Sequence, residues 1–461
     1  MSTVFVAGAT GVLGKRAVAR LVAEGHDVTA VARSEEKAQL LSGLGATPVT
    51  VDLFDAAAVR DAVAGHEVVM NLATHIPPLS KAAGPGAWKE NDRIRTEASR
   101  NLVDAALAAR AQRYVQESIA FTYADGGDTW LDEDAPIDMV GFISSTSEAE
   151  GNAQRFTRDS AAWGGVGVVL RFGLFYGPDS HSTVDSFRLV RIGAAPVMGA
   201  ATAYQSSIST DDAAAAAVAA LRAPAGIYNV ADDEPLTKRE YADAVAAAAG
   251  APRPVLVPRA AVKLGGQKVA PLARSHRLSN ARFKQATGWA PVDRSAREGI
   301  ARTAREMGVT PVETSTAVRT LLALLAISSL ALGAWAVLGP HSFYDSFPGG
   351  RGWVAADGPF NEHLLRDFGG LNLALGFLLA VAAIVAGRTL ARTAAVSALL
   401  FAVPHLVYHL SHLDVYDAAD KVGNITSLSV AAVLPVAVLV MTRKRRGTGA
   451  RSRHPEVAVA S

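Results

Sequence analysis

Four apolar stretches in the last third of the chain constrain what it can fold into more than any other feature. They run over residues 318–338, 369–387, 393–410 and 425–441. Each is near the ~20 residues that a helix rising ~1.5 Å per residue needs to cross a hydrocarbon core of ~30 Å. A soluble four-helix bundle would need a polar stripe on every helix, and residues 321–332 and 430–441 have almost none. The pattern predicts an all-α four-helix transmembrane domain.

Charge sets the expected orientation. Arg443, Lys444, Arg445 and Arg446 directly follow the last span, and Arg388 and Arg392 lie between the second and third; such residues favour the cytoplasmic side. Four spans then place Arg302, Arg305 and Arg319 on that side too, with loops 339–368 and 411–424 facing outward. From Met1 the chain runs straight into Val4-Phe5-Val6-Ala7, with no basic region and no long apolar core of the signal-peptide kind. The expectation is a multi-pass protein of the cell membrane, with the lipid bilayer as partner and with its N-terminal domain and C-terminal tail in the cytoplasm.

At 461 residues the chain exceeds a single typical core. The formal net charge is +2, and the basic residues are scattered apart from the C-terminal run, which argues against a nucleic-acid groove. There is no cysteine, so disulfides, thiolate metal sites and cysteine nucleophiles are excluded. Over residues 1–305, short Val- and Ile-rich runs alternate with Ala/Leu/Arg helical stretches, the signature of βαβ units in a parallel sheet. The expected organisation is an α/β domain over 1–305, a linker over 306–316 containing Pro311, the transmembrane domain over 317–442 and a basic tail over 443–461.

The strand at residues 4–7 runs into Gly8-Ala9-Thr10-Gly11-Val12-Leu13-Gly14, and a helix begins near Lys15. Glycines in a strand-to-helix turn mark a dinucleotide site: Gly8 permits the tight turn, Gly11 lets the backbone approach a pyrophosphate at the helix N-terminus, and Gly14 allows close helix–sheet packing. Thr10, Val12 and Leu13 complete the loop. A second strand over 28–32 ends in Ala32-Arg33-Ser34, where an NAD-specific site would carry an acid for the ribose hydroxyls. Arg33 instead offers a cation for a 2′-phosphate, so NADP is expected over NAD.

This spacing, with Asp52-Leu53 after the third strand and Asn71-Leu72-Ala73-Thr74 after the fourth, resembles the extended short-chain dehydrogenase/reductase family, also called the NAD-dependent epimerase/dehydratase family. Asn91, Asn101, Arg171-Phe172-Gly173-Leu174-Phe175-Tyr176-Gly177-Pro178, Asp211-Asp212, the run from Tyr228 to Pro235 and Gly288-Trp289-Ala290-Pro291 extend the likeness over nearly all of the first 305 residues. The resemblance implies a Rossmann fold with a small substrate subdomain. It also implies adenine contacts from Asp52 and Leu53, a place for Asn71 beside the cofactor, and nicotinamide-side contacts from Ala73 and Thr74.

Redox members of the family use a Tyr-x-x-x-Lys pair in which the lysine lowers the pKa of a tyrosine acid/base. Counted from a fifth strand over 113–117, Ser144 and Glu148 fall at those positions, and Ile119 falls where a hydroxyl is usual. A glutamate would raise, not lower, a neighbouring tyrosine's pKa. Ser118 and Tyr123 are the remaining polar candidates for catalysis at the sheet edge. Two functions follow: an atypical NAD(P)-dependent oxidoreductase or epimerase-like enzyme acting on a small, hydrophobic substrate, or a non-catalytic dinucleotide-binding sensor or assembly subunit, with a protein partner, coupled to the membrane domain. His405, His409 and His412, at the outer end of the third span, would share one helix face at 100° per residue. That spacing marks a speculative metal or haem site against the plainer reading of interfacial residues.

Overall fold

The computed structural model describes residues 1–77, 84, 86–251, 253–257, 270–309 and 314–443. Linker residues 310–313, Pro311 among them, and the tail from Lys444 through Arg445 and Arg446 to Ser461 lie outside the described residues. The chain divides into two compact units, Met1–Pro311 and Val312–Ser461.

Seven strands form the sheet of the first unit: β1 (Thr3–Ala7), β2 (Asp27–Val31), β3 (Thr47–Val49), β4 (Val68–Asn71), β5 (Arg113–Ile119), β6 (Val166–Phe172) and β7 (Gly226–Val230). All pairings are parallel, in the order β7-β6-β5-β4-β1-β2-β3. The order reverses at β1, which opens a crevice beyond the carboxyl ends of β1 and β4, where sheets of this kind take ligands. The helices around it are α1 (Gly14–Ala23), α2 (Glu35–Gly43), α3 (Ala56–Val63), α4 (Lys89–Arg93), α5 (Ser99–Ala108), α6 (Thr146–Asp159) and α7 (Thr210–Ala219).

Strands β1 and β4 read as nearly continuous apolar runs because both faces are covered, whereas β5 carries the buried polar residues Gln116, Glu117 and Ser118. Val4 and Val6 join Met70, Val115 and Leu170 against Ala17 and Leu21 of α1 and Ala213 and Ala217 of α7. Phe5 and Ala7 join Val69, Tyr114 and Val169 against Val59 of α3, Leu102 of α5 and Phe156 of α6. A smaller subdomain hangs on short strand pairs, Leu174–Tyr176 with Ser207–Ser209 and Ala194–Met198 with Val255–Val257, over a third core of Phe187, Val197, Tyr241 and Ile300. Asp212 ties the later motifs together: its carbonyl accepts from the Trp289 indole at 3.2 Å, and its carboxylate from the amides of Val292 and Asp293 at 2.9 and 3.1 Å.

The second unit contains four helices long and apolar enough to cross a membrane: α8 (Thr316–Leu338), α9 (Glu362–Val385), α10 (Arg388–Ser411) and α11 (Ala418–Met441). The last three begin several residues before the apolar stretches do. Hydropathy marks only the lipid-length segment, whereas the side chains of Asn361 and Asp417 cap the amides of Leu364 and Asp420 at 3.1 and 2.7 Å and start α9 and α11 in polar sequence. Large apolar side chains including Ile327, Phe377, Leu400 and Val433 are exposed, while glycines form the α8–α9 contact. A Cβ on Gly333 would stand 2.7 Å from the Gly369 carbonyl oxygen and 2.8 Å from the Leu373 nitrogen, the close backbone approach typical of helix pairs in lipid.

Gly333→Leu is therefore expected to destabilise the helix pair by about 1–3 kcal/mol, as overpacking does. Thermal unfolding in detergent should show a lower midpoint, while Gly370→Ala, where an added Cβ meets nothing within 4 Å, should show no loss.

Candidate dinucleotide and substrate site

The turn after β1 is shaped as a cradle. Gly8 has φ +77°, and a Cβ there would lie 2.4 Å from the Leu72 carbonyl carbon at the end of β4. A Cβ on Gly14 would lie 2.1 Å from the Gly8 oxygen, so helix α1 starts in contact with the turn. At Gly11 the nearest atom to such a Cβ is the Gly8 oxygen at 3.4 Å, and the residue is exposed. Thr10 and Val12 are part-exposed beside it, while Leu13 is buried. No side chain caps α1, which leaves its N-terminal amides to face an anion. Packing needs, with no ligand invoked, thus account for Gly8 and Gly14, and the open side at Gly11 fits a pyrophosphate.

The other residues expected on the cofactor side lie at or just beyond the ends of β2, β3 and β4. Arg33 lies two residues beyond β2, exposed, with its guanidinium 3.6 Å from the Glu90 carboxylate of α4. Asp52 is exposed and accepts from the Phe54 amide at 3.0 Å, and the Leu53 carbonyl accepts from the Asn101 side chain at 3.0 Å. Asn71 is fully buried at the end of β4, donating to Gln116 at 3.0 Å and accepting from the Ala73 amide at 3.3 Å. This shapes the path of Ala73 and Thr74, and the next amide, of His75, donates to the Asn91 side chain at 3.0 Å. Asn71 therefore acts through the backbone it holds.

Ser144 precedes α6 and Glu148 lies on it, and both are exposed. The buried stripe of α6 is Thr146, Ala149, Glu150, Ala153 and Phe156, the phase set by its apolar residues Ala149, Ala153 and Phe156.

Glu150 is the hub of a buried network. Arg171 of β6 forks onto it, Nε to Oε1 at 2.8 Å and Nη2 to Oε2 at 2.6 Å, and the Ser118 hydroxyl donates to Oε1 at 2.6 Å. Arg171 also donates through Nη1 to the Tyr123 hydroxyl at 3.0 Å, and Tyr123 donates to Asn229 of β7 at 2.7 Å. Arg95 donates to the Thr146 hydroxyl at 2.8 Å. Burial works against the Arg171 charge, but the fork to Glu150 outweighs it and holds the pKa above the ordinary value. Burial pushes the Tyr123 phenol up to about 12, against the opposing pull of Arg171, and raises the Glu117 carboxyl despite nearby Arg95. Ser118 and Tyr123, the catalytic candidates from sequence, are both 0% exposed with their hydroxyl protons committed inside this network. They hold the sheet edge together and present no free hydroxyl to a substrate.

Across 310 residues the sequence is 36% identical to the 3-diazoavenalumate denitrifying reductase of a Streptomyces species, covering 99% of that protein and 65% of this chain. The chain belongs to the NAD(P)-binding epimerase/dehydratase family of short-chain dehydrogenase/reductases. Residues 8–162 match the family described as NAD(P)H-binding. The 2-alkyl-3-oxoalkanoate reductase of Shewanella oneidensis is 28% identical over 272 residues, 55% of this chain and 67% of that protein. Among solved structures, the NAD complex of Thermus thermophilus UDP-glucose 4-epimerase overlays with a TM-score of 0.54 at 23% identity, covering 66% of this chain and 99% of that one. A likeness at that identity speaks for the family fold alone.

The His405/His409/His412 cluster does not come together on one helix face. Helix α10 ends at Ser411, and His412 is its non-helical cap, with Nδ1 2.8 Å from the Tyr408 carbonyl oxygen. The rings of His405 and His409 remain neighbours, 4.7 Å between centroids. Among the described residues no group of three or more His, Cys, Asp or Glu side chains is placed to hold a metal ion.

His276, 3% exposed, sets a pH dependence in this unit. Burial lowers its pKa to about 4, and Nε2 lies 3.0 Å from the Tyr123 carbonyl oxygen. The folded protein thus keeps a neutral ring that the unfolded chain would protonate below about 6.5. This contribution is complete above pH 6.5 and is lost as the pH falls through 4. Denaturant midpoints should drop over that window, and His276→Gln should flatten the drop.

Proposed function

We propose that the N-terminal unit is an NADPH-dependent reductase acting on a small, hydrophobic molecule, held at the cytoplasmic face of the cell membrane by α8–α11. The observation that carries this reading is the cradle at Gly8, Gly11 and Gly14, in a chain that matches nearly the whole length of a curated reductase. The pyrophosphate would rest on the uncapped end of α1 at Gly11, the adenosine between Asp52, Leu53 and Arg33, and the nicotinamide beside Ala73 and Thr74. Bound there, a reduced nicotinamide supplies a hydride. The residues of the chain orient the cofactor and fix the backbone beyond β4 through Asn71 and Asn91. Preference for the phosphorylated dinucleotide rests on Arg33, a guanidinium where an acid would serve NAD.

Membrane anchoring rests on the length and apolar surface of the four helices. The cytoplasmic placement rests on Arg319, Arg388, Arg392 and Arg443, all at the ends of α8, α10 and α11 that this topology puts on one side. The expected division is a reductase over 1–305, a linker over 306–316, a membrane domain over 317–442 and a cytoplasmic tail beyond.

A second reading is favoured by one observation, the enclosure of Ser118 and Tyr123: a dinucleotide-binding sensor without turnover. The two readings separate in a single pair of measurements on full-length protein in detergent. Calorimetry should show NADPH binding more tightly than NADH, with Arg33→Asp reversing the order; unchanged relative affinities would remove the assignment of Arg33. Gly14→Ala should abolish binding of both dinucleotides. Oxidation of NADPH with an acceptor supports the reductase, whereas tight binding with no turnover on any acceptor supports the sensor.

A further inference from the structure

The first turn of α1 carries two cations, Lys15 and Arg16, and no acid. The N-terminus of a helix disfavours cations, because the aligned peptide dipoles make that end positive. The balancing negative charge comes from outside the helix. Arg16 is part-buried and donates through Nε to Asp211 at 2.8 Å and through Nη1 to Asp179 at 2.9 Å. The same Nη1 donates to the Val12 carbonyl oxygen at 3.0 Å, and Lys15 pairs with Asp179 as well. These partners belong to different parts of the unit. Val12 lies in the turn beside Gly11, whose open face fits a pyrophosphate. Asp211 is in the first turn of α7, which packs on the central sheet through Ala213 and Ala217. Asp179 stands in the bend between Tyr176 and the helix His181–Arg191, where the Ser180 amide donates to the Gly177 carbonyl at 3.2 Å and the Gly177 amide to the Thr183 hydroxyl at 3.1 Å. That helix supplies Phe187 to the third core and leads into the strand Ala194–Met198, so the bend is where the chain passes into the smaller subdomain. Burial works to raise the Asp179 carboxyl, but the bonds from Arg16 and Lys15 outweigh it and hold its pKa below the ordinary carboxylate value.

Resting on the placement of the dinucleotide given above, we propose that Arg16 is a positioning residue for the cofactor, joined through Asp179 to the smaller subdomain, so that filling the turn and fixing the subdomain reinforce each other. Arg16 acts without touching the dinucleotide. It holds the Val12 end of the cradle to two carboxylates, and a binding turn keeps its geometry only when a hydrogen-bonded shell around it is fixed. Coupling of this kind is reciprocal: a bound dinucleotide tightens the joint by as much as the joint tightens binding. The effect falls on the turn, which both dinucleotides would share, so it is equal for NADPH and NADH, unlike a change at Arg33.

The test uses full-length protein in detergent at physiological ionic strength, with NADPH and NADH as probes, calorimetry for affinity and hydrogen exchange for the helix His181–Arg191. Asp179→Asn should weaken both dinucleotides alike, by about fivefold or more, and Asp179→Glu, which keeps the carboxylate, should recover most of the loss. The double variant Arg16→Gln/Asp179→Asn should bind no worse than Arg16→Gln alone, because both changes open one joint. NADPH should slow amide exchange in the helix His181–Arg191 of the wild type and leave it unchanged in Asp179→Asn. Should Asp179→Asn not fold, Asp211→Asn opens the other arm of the same guanidinium and is expected to weaken both dinucleotides in the same way. Unchanged affinities in the folded variant, or tighter binding through the freed cations, would overturn the inference and leave the dinucleotide site standing. Strictly additive losses in the double variant, a loss that Asp179→Glu does not recover, or exchange indifferent to NADPH in the wild type would do the same. Absence of dinucleotide binding by the wild type would overturn both.

Discussion

The ion pair between Glu150 and Arg171 is the contact on which the half of the sheet formed by β5, β6 and β7 depends. Both groups are almost wholly enclosed, and two charges out of water hold only if each is matched by geometry and hydrogen bonds. The match is supplied by four elements at once: α6 gives Glu150, β5 gives Ser118, β6 gives Arg171 and β7 gives Asn229 through Tyr123. Removing one partner would strand the other charge, a loss of about 3–5 kcal/mol in comparable cases. Replacing both by apolar residues of similar volume would be far milder, so the pair fixes arrangement more than it supplies stability.

The sequence disclosed the parts of this protein that rest on backbone rules. Gly8 and Gly14 are legible because no other residue fits a positive φ or a 2.1 Å approach, and such needs do not depend on distant chain. Apolar runs announced β1 and the four long helices for the same reason: an apolar surrounding on all sides, as in a covered sheet or a helix able to cross a membrane, leaves one composition. The burial of Thr146 and Glu150 was less accessible. It depends on the phase with which α6 begins after the short 3-10 turn Gly141–Ile143, and a count along the chain cannot supply that phase. The roles of Ser118 and Tyr123 were likewise hidden, because a polar residue at a strand end looks alike whether it faces a ligand or an arginine 48 residues onward, as Tyr123 does. The helix starts at Asn361 and Asp417 were missed because capping polarity reads as loop when hydropathy is the guide.

The two units solve the burial of polar backbone differently. The first spreads its hydrogen bonds over a seven-stranded ladder and covers both faces with apolar layers. The second keeps the backbone bonds of its four long helices within each helix and brings α8 and α9 together through glycines, the kind of contact that helix pairs able to cross a membrane use. Long side chains at Gly333 or Gly369 would separate these backbones, whereas those of Leu400 and Val433 stand on the outer surface.

Glu90 lies between the Arg33 guanidinium and the His75 ring. Its carboxylate lies 3.6 Å from the Arg33 guanidinium and 3.7 Å from a His75 ring nitrogen, so Arg33 has an anionic neighbour of its own before any phosphate arrives. A phosphate docking on Arg33 enters by exchange with that neighbour. The net gain is the difference between two anions at one guanidinium, so the charge released to solvent on docking is smaller than a bare arginine would give. On the proposed role of Arg33, discrimination between the two dinucleotides would involve α4 as well as the loop after β2.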